Sequence, residues 1–323
     1  MNWNEVIGSS ALVPLFSSGV ALAMPTATAA VGECLSERAG NLNLGVEGMM
    51  LTGAFSSFIG TYYTHSIAVG VLAGIGAGLA LGALMAILGI WLKTDQVING
   101  IALVLFAQGL TAFVYGKLFS TIGTTPTFSP PPNLHVPLLD GIPGLGPVLF
   151  RQNSLFYIAL AAMLAVIFVI YRTRFGLTVR AVGEDPAAAD AAAIPVDRVR
   201  WIALLIGGAM AGLGGAVLVI GQLGIVETNV TEGAGWIAVA LVIFGRWNPL
   251  FVICGAFLFG TTDALQLRIQ AASGGVTSGF PYEFFQALPY LVTLAVMIAV
   301  AVRARRSAQP SALGTPFRRG VTS

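Results

Sequence analysis

Charge is what this chain has least of. Only 9% of its 323 residues are Asp, Glu, Lys or Arg, against roughly 25% in soluble globular domains. With 56% of residues hydrophobic and a mean hydropathy of +0.85, the chain cannot cover a soluble domain's surface. An all-α, polytopic membrane protein is expected. An outer-membrane barrel is excluded, because ten-residue segments of alternating polarity are missing. Lysine is nearly absent: Lys93 and Lys117 stand alone, and no basic patch is dense enough to track a nucleic acid polymer. No GxxxxGK[ST] loop occurs, and Gly116-Lys117 is followed by Leu118, so this chain cannot cradle ATP itself. Cys34 and Cys254 lie in apolar stretches and read as buried thiols, not as a disulfide framework or metal site. His65 and His135 are isolated, and no HExxH, CxxC or nucleophile–base spacing is present. Neither metal nor catalysis nor a bound cofactor is expected. The start, MNWNEV, lacks a basic n-region, so no cleavable signal peptide is expected.

What is there is a series of apolar runs at bilayer length, about 20 residues each. Nine are placed, near 10–32, 48–63, 67–92, 97–116, 154–171, 201–221, 233–245, 249–266 and 284–302. Nine crossings with an inside C-terminus put the N-terminus outside. Thirteen of the 16 basic residues then lie inside, and only Lys117, Arg151 and Arg268 outside, as the positive-inside rule requires. Residues 1–306 form the membrane domain in this reading, and 307–323 a flexible basic cytoplasmic tail. Glycines at helical spacing, Gly74/Gly78/Gly82 and Gly208/Gly212 with Ala216, predict close helix packing in lipid. The Pro- and Gly-rich stretch 117–153, with Ser129-Pro130-Pro131-Pro132 and Gly141-Ile142-Pro143-Gly144, reads as an outer loop. It is either a passive connector or a docking place for a delivery protein.

Two places break the apolar pattern. Residues 36–48, SERAGNLNLGVEG, put Glu37, Arg38, Asn41, Asn43 and Glu47 at membrane depth without the length of a loop. The second break is Gly245-Arg246-Trp247-Asn248-Pro249, behind the short seventh run. Polar backbone at that depth is tolerated where it is buried in protein or lines a cavity, and paired interrupted segments point to a transport path. Glu37 and Arg38 are open to two readings, structural glue or solute contact. Asn41, Asn43, Glu47, Gln108 and Asp263 are the candidate solute-path residues. Asp263 is read as the one acid buried within a span away from a break.

The longest polar island is RTRFGLTVRAVGEDPAAADAAAIPVDRVRW, residues 172–201. Asp185 suits an N-cap, Pro186 the first helical position, and the alanines behind it a short helix that Pro195 ends. By pattern alone it is equally an ordinary connecting loop.

Residues 37–50, ERAGNLNLGVEGMM, and 175–186, FGLTVRAVGEDP, with the helix behind them, resemble permease subunits of bacterial ABC importers. The superfamily is that of the branched-chain amino acid and simple-sugar permeases, and the wording is most similar to the nucleoside-type members. Gly235-Trp236-Ile237 to Pro249 is a third match. Asp185 stands where the family usually has Asn, and Ala193 where it usually has Gly; the Asp still caps, whereas the Ala weakens the case for a sharp turn. The resemblance implies that Arg180, Glu184, Asp185, Pro186, Ala189 and Ile194 couple to a cytoplasmic ATPase subunit. It also implies that ATP-Mg is bound by that partner, that a second permease completes the pore, and that an extracytoplasmic solute-binding protein delivers the ligand. A nucleoside or related small polar solute is the expected cargo, with a simple sugar or branched-chain amino acid as alternatives. A secondary carrier or channel working alone is the competing class, and an intramembrane enzyme a third.

Overall fold

The structure, a computed structural model, describes residues 9–120, 126–134, 142, 144–272, 287, 291–292, 294–295, 298 and 308–318. Among these there is no β-sheet, only the isolated bridges Thr127–Ile225 and Asn133–Asn153. The helices are α1 (Ser9–Arg38), α2 (Val46–Thr64), α3 (Ile67–Ala86), α4 (Gln96–Phe119), α5 (Leu145–Leu149), α6 (Ser154–Arg172), α7 (Arg174–Glu184), α8 (Pro186–Ala191), α9 (Val196–Leu218), α10 (Ala234–Phe244) and α11 (Pro249–Ala272). α3 and α9 each end in one turn of π-helix, Ile87–Trp91 and Val219–Leu223.

Among the described residues six helices, α1, α3, α4, α6, α9 and α11, are long and apolar enough to cross a membrane. They account for six of the nine expected runs, and the second and seventh runs form α2 and α10. α2 is 19 residues long, but Glu47, Thr52, Ser57 and Thr61 dilute its apolarity. Those four side chains are buried, because protein and not lipid surrounds the helix. α10 has 11 residues, about 16 Å of helix against a hydrocarbon core of about 30 Å. The expected ninth run lies almost wholly outside the described residues.

α3 and α9 meet along the predicted glycine faces. A Cβ placed on Gly78 would collide with the Gly208 carbonyl oxygen and sit 2.9 Å from the Gly212 Cα. One on Gly212 would strike the Gly74 carbonyl. α2 enters the same seam, since a Cβ on Gly53 would lie 2.5 Å from the Gly212 Cα. Small residues let three backbones touch, which is how helices associate where lipid removes the hydrophobic drive.

The first polar break is shorter than expected. α1 continues through Ser36, Glu37 and Arg38, leaving a turn over 39–45 around Gly40 at φ 88°. Of the outer stretch, Leu145–Leu149 forms the short α5, while Gly141 and Pro143 fall outside the described residues. Cys34 is buried, but Cys254 is exposed on α11, correcting the reading of two buried thiols. An apolar run says that a residue sits among nonpolar groups, not whether those groups are protein or lipid.

Candidate functional site

The two breaks meet in space, and α10 lies between them. Glu47, in the first turn of α2, is 1% exposed. Its Oε1 accepts from Thr231 Oγ1 (2.5 Å) and the Gly233 N–H (3.2 Å), and its Oε2 from the Gly235 N–H (2.7 Å). A carboxylate thus satisfies the orphan donors at the start of α10, where the helix dipole favours negative charge. Past the other end of α10, Trp247 donates its indole N–H to Glu37 Oε2 (2.5 Å), and the Trp247 carbonyl accepts from the Cys34 thiol (3.1 Å). Consecutive left-handed residues, Arg246 (φ 52°) and Trp247 (φ 55°), turn the indole inward. Arg38 lies over the Tyr171 ring at 5.5 Å. Glu37 and Arg38 therefore take the structural alternative in this arrangement: each is engaged by protein.

The two candidate asparagines are also held by protein. Asn41 donates to the Arg200 carbonyl (3.0 Å). Asn43 donates to Glu33 Oε2 (2.9 Å) and accepts from the Gly45 N–H (3.1 Å). Glu33 is fully buried inside α1, which corrects the reading of Asp263 as the sole such acid. The signal was legible: Glu33 and Glu37 are four residues apart, hence on one helical face.

Asp263 faces elsewhere. At the end of the bundle opposite α8, a cavity of about 720 Å³ opens between the middle of α1, the π turn after α9, the 225–233 loop, and α10 and α11. Its polar lining includes Gln222, Glu227, Asn229, Glu232, Asp263 and Gln266. Gln108 reaches it from α4 through Asn229 Oδ1, at 3.5 Å. Thr231 lines the cavity and donates to Glu47, so the cavity wall and the α10 clamp share a residue. Of the five candidate path residues, Asp263 lines this space and Gln108 touches its Asn229, Glu47 lies behind its wall at Thr231, Asn43 is held by Glu33 on α1, and Asn41 lies at the other end of the bundle on Arg200. Sequence reasoning missed Gln222, Glu227 and Glu232. The last two sit in a loop between apolar runs, which reads as solvated connector until the fold closes it over a cavity.

The polar island forms three consecutive elements. Thr173 caps α7 through the Gly176 N–H (3.1 Å), and Asp185 caps α8 through the Ala188 N–H (2.9 Å) with Pro186 in the first turn. Arg180 bonds back to the Gly176 carbonyl (3.2 Å). Ala189 is 4% exposed and points inward, and Ile194 packs against the core. The outward face of α8 is instead Ala187, Ala188 and Ala191. Ala193 adopts φ 60°, so the sharp turn forms despite the missing glycine. Residues 308–318 fall in the stretch expected to be a flexible tail, yet here they are held: Ala312 N donates to the Gly183 carbonyl at 2.9 Å. Among the described residues no group of His, Cys, Asp and Glu could hold a metal ion.

Comparison with known proteins gives one family and a consistent set of relatives. The family described as branched-chain amino acid transport system / permease component matches residues 15–301. A Haloferax volcanii protein provisionally named a glucose ABC transporter permease is 39% identical, over 94% of this chain and 97% of its own length. A nucleoside ABC transporter permease of Lactococcus lactis is 33% identical over 84% of this chain and 87% of its own length. A guanosine ABC transporter permease of Bacillus subtilis is 31% identical over 92% and 94%. In each organism a second permease named for the same solute also matches, at 27%, 24% and 26% identity over 87%, 86% and 93% of this chain. Those matches span 73%, 77% and 85% of the second proteins' own lengths.

Proposed function

Because the chain belongs to the permease family of branched-chain amino acid transport systems, and is thus a multi-pass membrane subunit of an ABC transporter, we propose that it forms half of a pore importing a nucleoside or related small polar solute. The observation that carries the reading is α8. A six-residue helix capped by Asp185 stands at one end of an apolar bundle and turns a face of small alanines outward. Such a face fits a groove on a separate cytoplasmic ATPase, and the chain has no phosphate loop of its own. ATP-Mg is then bound and hydrolysed by that partner.

The solute class is supported by the relatives' named solutes, glucose, nucleosides and guanosine. Carboxylates and amides around the 720 Å³ cavity would accept hydrogen bonds from such hydroxyl- and amine-bearing molecules. Asp263 and Gln108 are assigned to the solute path, Glu47 to holding its wall through Thr231, and Asn41 and Asn43 to bracing the turn between α1 and α2. In the coupling segment, Asp185 and Pro186 shape α8, Ala189 and Ile194 seat it, and Arg180 and Glu184 hold the preceding α7. A second permease is supported by the paired relatives in three organisms, whose second members extend beyond the matched region. Nine crossings with the N-terminus outside, and delivery by a binding protein on the 117–153 side, complete the proposal.

Reconstitution tests it. With its ATPase, partner permease and binding protein, the chain in liposomes is expected to accumulate solute only with ATP. Ala191→Glu, on the exposed face of α8, is expected to abolish that accumulation while leaving the bundle folded. Uphill uptake by the isolated chain, driven by an ion gradient, would sink the reading in favour of a secondary carrier.

A further inference from the structure

Residues 308–318 touch both elements that flank the coupling helix. Ser311 Oγ donates to Glu184 Oε2 (3.1 Å) and Ala312 N to the Gly183 carbonyl (2.9 Å), on the last two residues of α7. Gly314 N donates to the Gly40 carbonyl (3.1 Å) in the turn between α1 and α2. Arg200, at the start of α9 and 1% exposed, donates from Nη1 to the Thr315 carbonyl (2.8 Å) and from Nε to the Ala39 carbonyl (3.2 Å). Leu313 and Phe317 pack on the core, and Ala312 is buried. Phe317 also lines a groove of about 470 Å³ with Asp190, Ala193 and Ile194, just past α8.

The junction these contacts bracket is a break between two helices. Asp185 is extended (φ −144°, ψ 92°) between α7 and α8, so the two helices are not one rod. A push on α8 would be absorbed by rotation there unless something splints it. The 308–318 segment grips α7 upstream of the junction, faces the Ala193–Ile194 turn across the groove downstream, and is anchored by a buried guanidinium to α9 and to the α1–α2 turn.

Resting on the importer reading above, we propose that residues 308–318 are a splint across the α7–α8 junction, anchored by Arg200, that turns ATPase movement at α8 into movement of the membrane helices. Arg200 is a positioning residue in this scheme; it touches neither solute nor ATP.

The test uses the assembled transporter in proteoliposomes and reads solute taken up per ATP hydrolysed. A truncation removing residues 308–323 is expected to keep ATP hydrolysis near the intact rate and to lower uptake per ATP about tenfold, the scale on which coupling residues act. Ala312→Pro removes the N–H given to Gly183 in a chain of full length. It is expected to lower the same ratio about threefold, and it decides the matter if the truncated chain fails to assemble. A peptide of residues 308–318 added to the truncated complex should restore part of the ratio. An unchanged ratio in both variants overturns the proposal. So does a parallel fall in hydrolysis and uptake, which marks a merely structural tail or an ATPase contact. An intact complex whose uptake ignores ATP overturns the importer reading first, and the splint with it.

Discussion

Glu47 and Asp263 are both acids within one apolar bundle, yet they are treated in opposite ways. Glu47 gives both oxygens to three protein donors at the head of α10. Asp263 lines a 720 Å³ space together with Glu227 and Glu232. A buried carboxylate is costly unless hydrogen bonds replace its water. Glu47 meets that cost from inside the chain; Asp263 meets it by facing a cavity. The first kind of acid builds the fold, and the second, in the proposed function, is the one a solute would meet. Glu37 belongs with Glu47, since Trp247 holds it from the far end of the same short helix.

Substitutions can break this contrast in a graded way. Glu47→Ala strands the Thr231, Gly233 and Gly235 donors, and is expected to cost about 3 kcal/mol or more; a sharp fall in melting temperature and folded yield in detergent would show it. Trp247→Phe leaves Glu37 without its indole donor, and about 2 kcal/mol is expected, read in the same melt. Asp263→Asn should move the opposite quantity. Uptake is expected to fall about fivefold, roughly 1 kcal/mol of solute interaction, with the melting temperature unchanged. If Asp263→Asn instead melts early at full uptake, the two classes of acid collapse into one. Gln108→Ala, which removes only a long hydrogen bond at the cavity's edge, should change uptake by less than about twofold.

The helical class and the short capped α8 were legible because they rest on local physics. Hydropathy placed the six long spans, and Asp185-Pro186 announced its own cap. The glycine faces at 74/78/82 and 208/212 were legible as packing surfaces; that they pack on each other is a fact of the fold alone. The site was half legible. Polar residues at membrane depth were found, but their function depends on what lies opposite, and Thr231 stands 184 residues from Glu47. Hydropathy likewise could not separate α2, which is shielded by protein, from a lipid-facing span. Ala189 was singled out for the ATPase, yet helix phase turns it inward, a rotation that a run of alanines does not reveal.

The seam between α3 and α9 constrains how such a molecule can move. Where main chains lie against each other with no side chains between them, there is no lubricating layer and no alternative notch to slip into. The pair must travel as a single beam, and α2 with it through Gly53. Any opening of the bundle is then expected to pivot beside that beam and not within it.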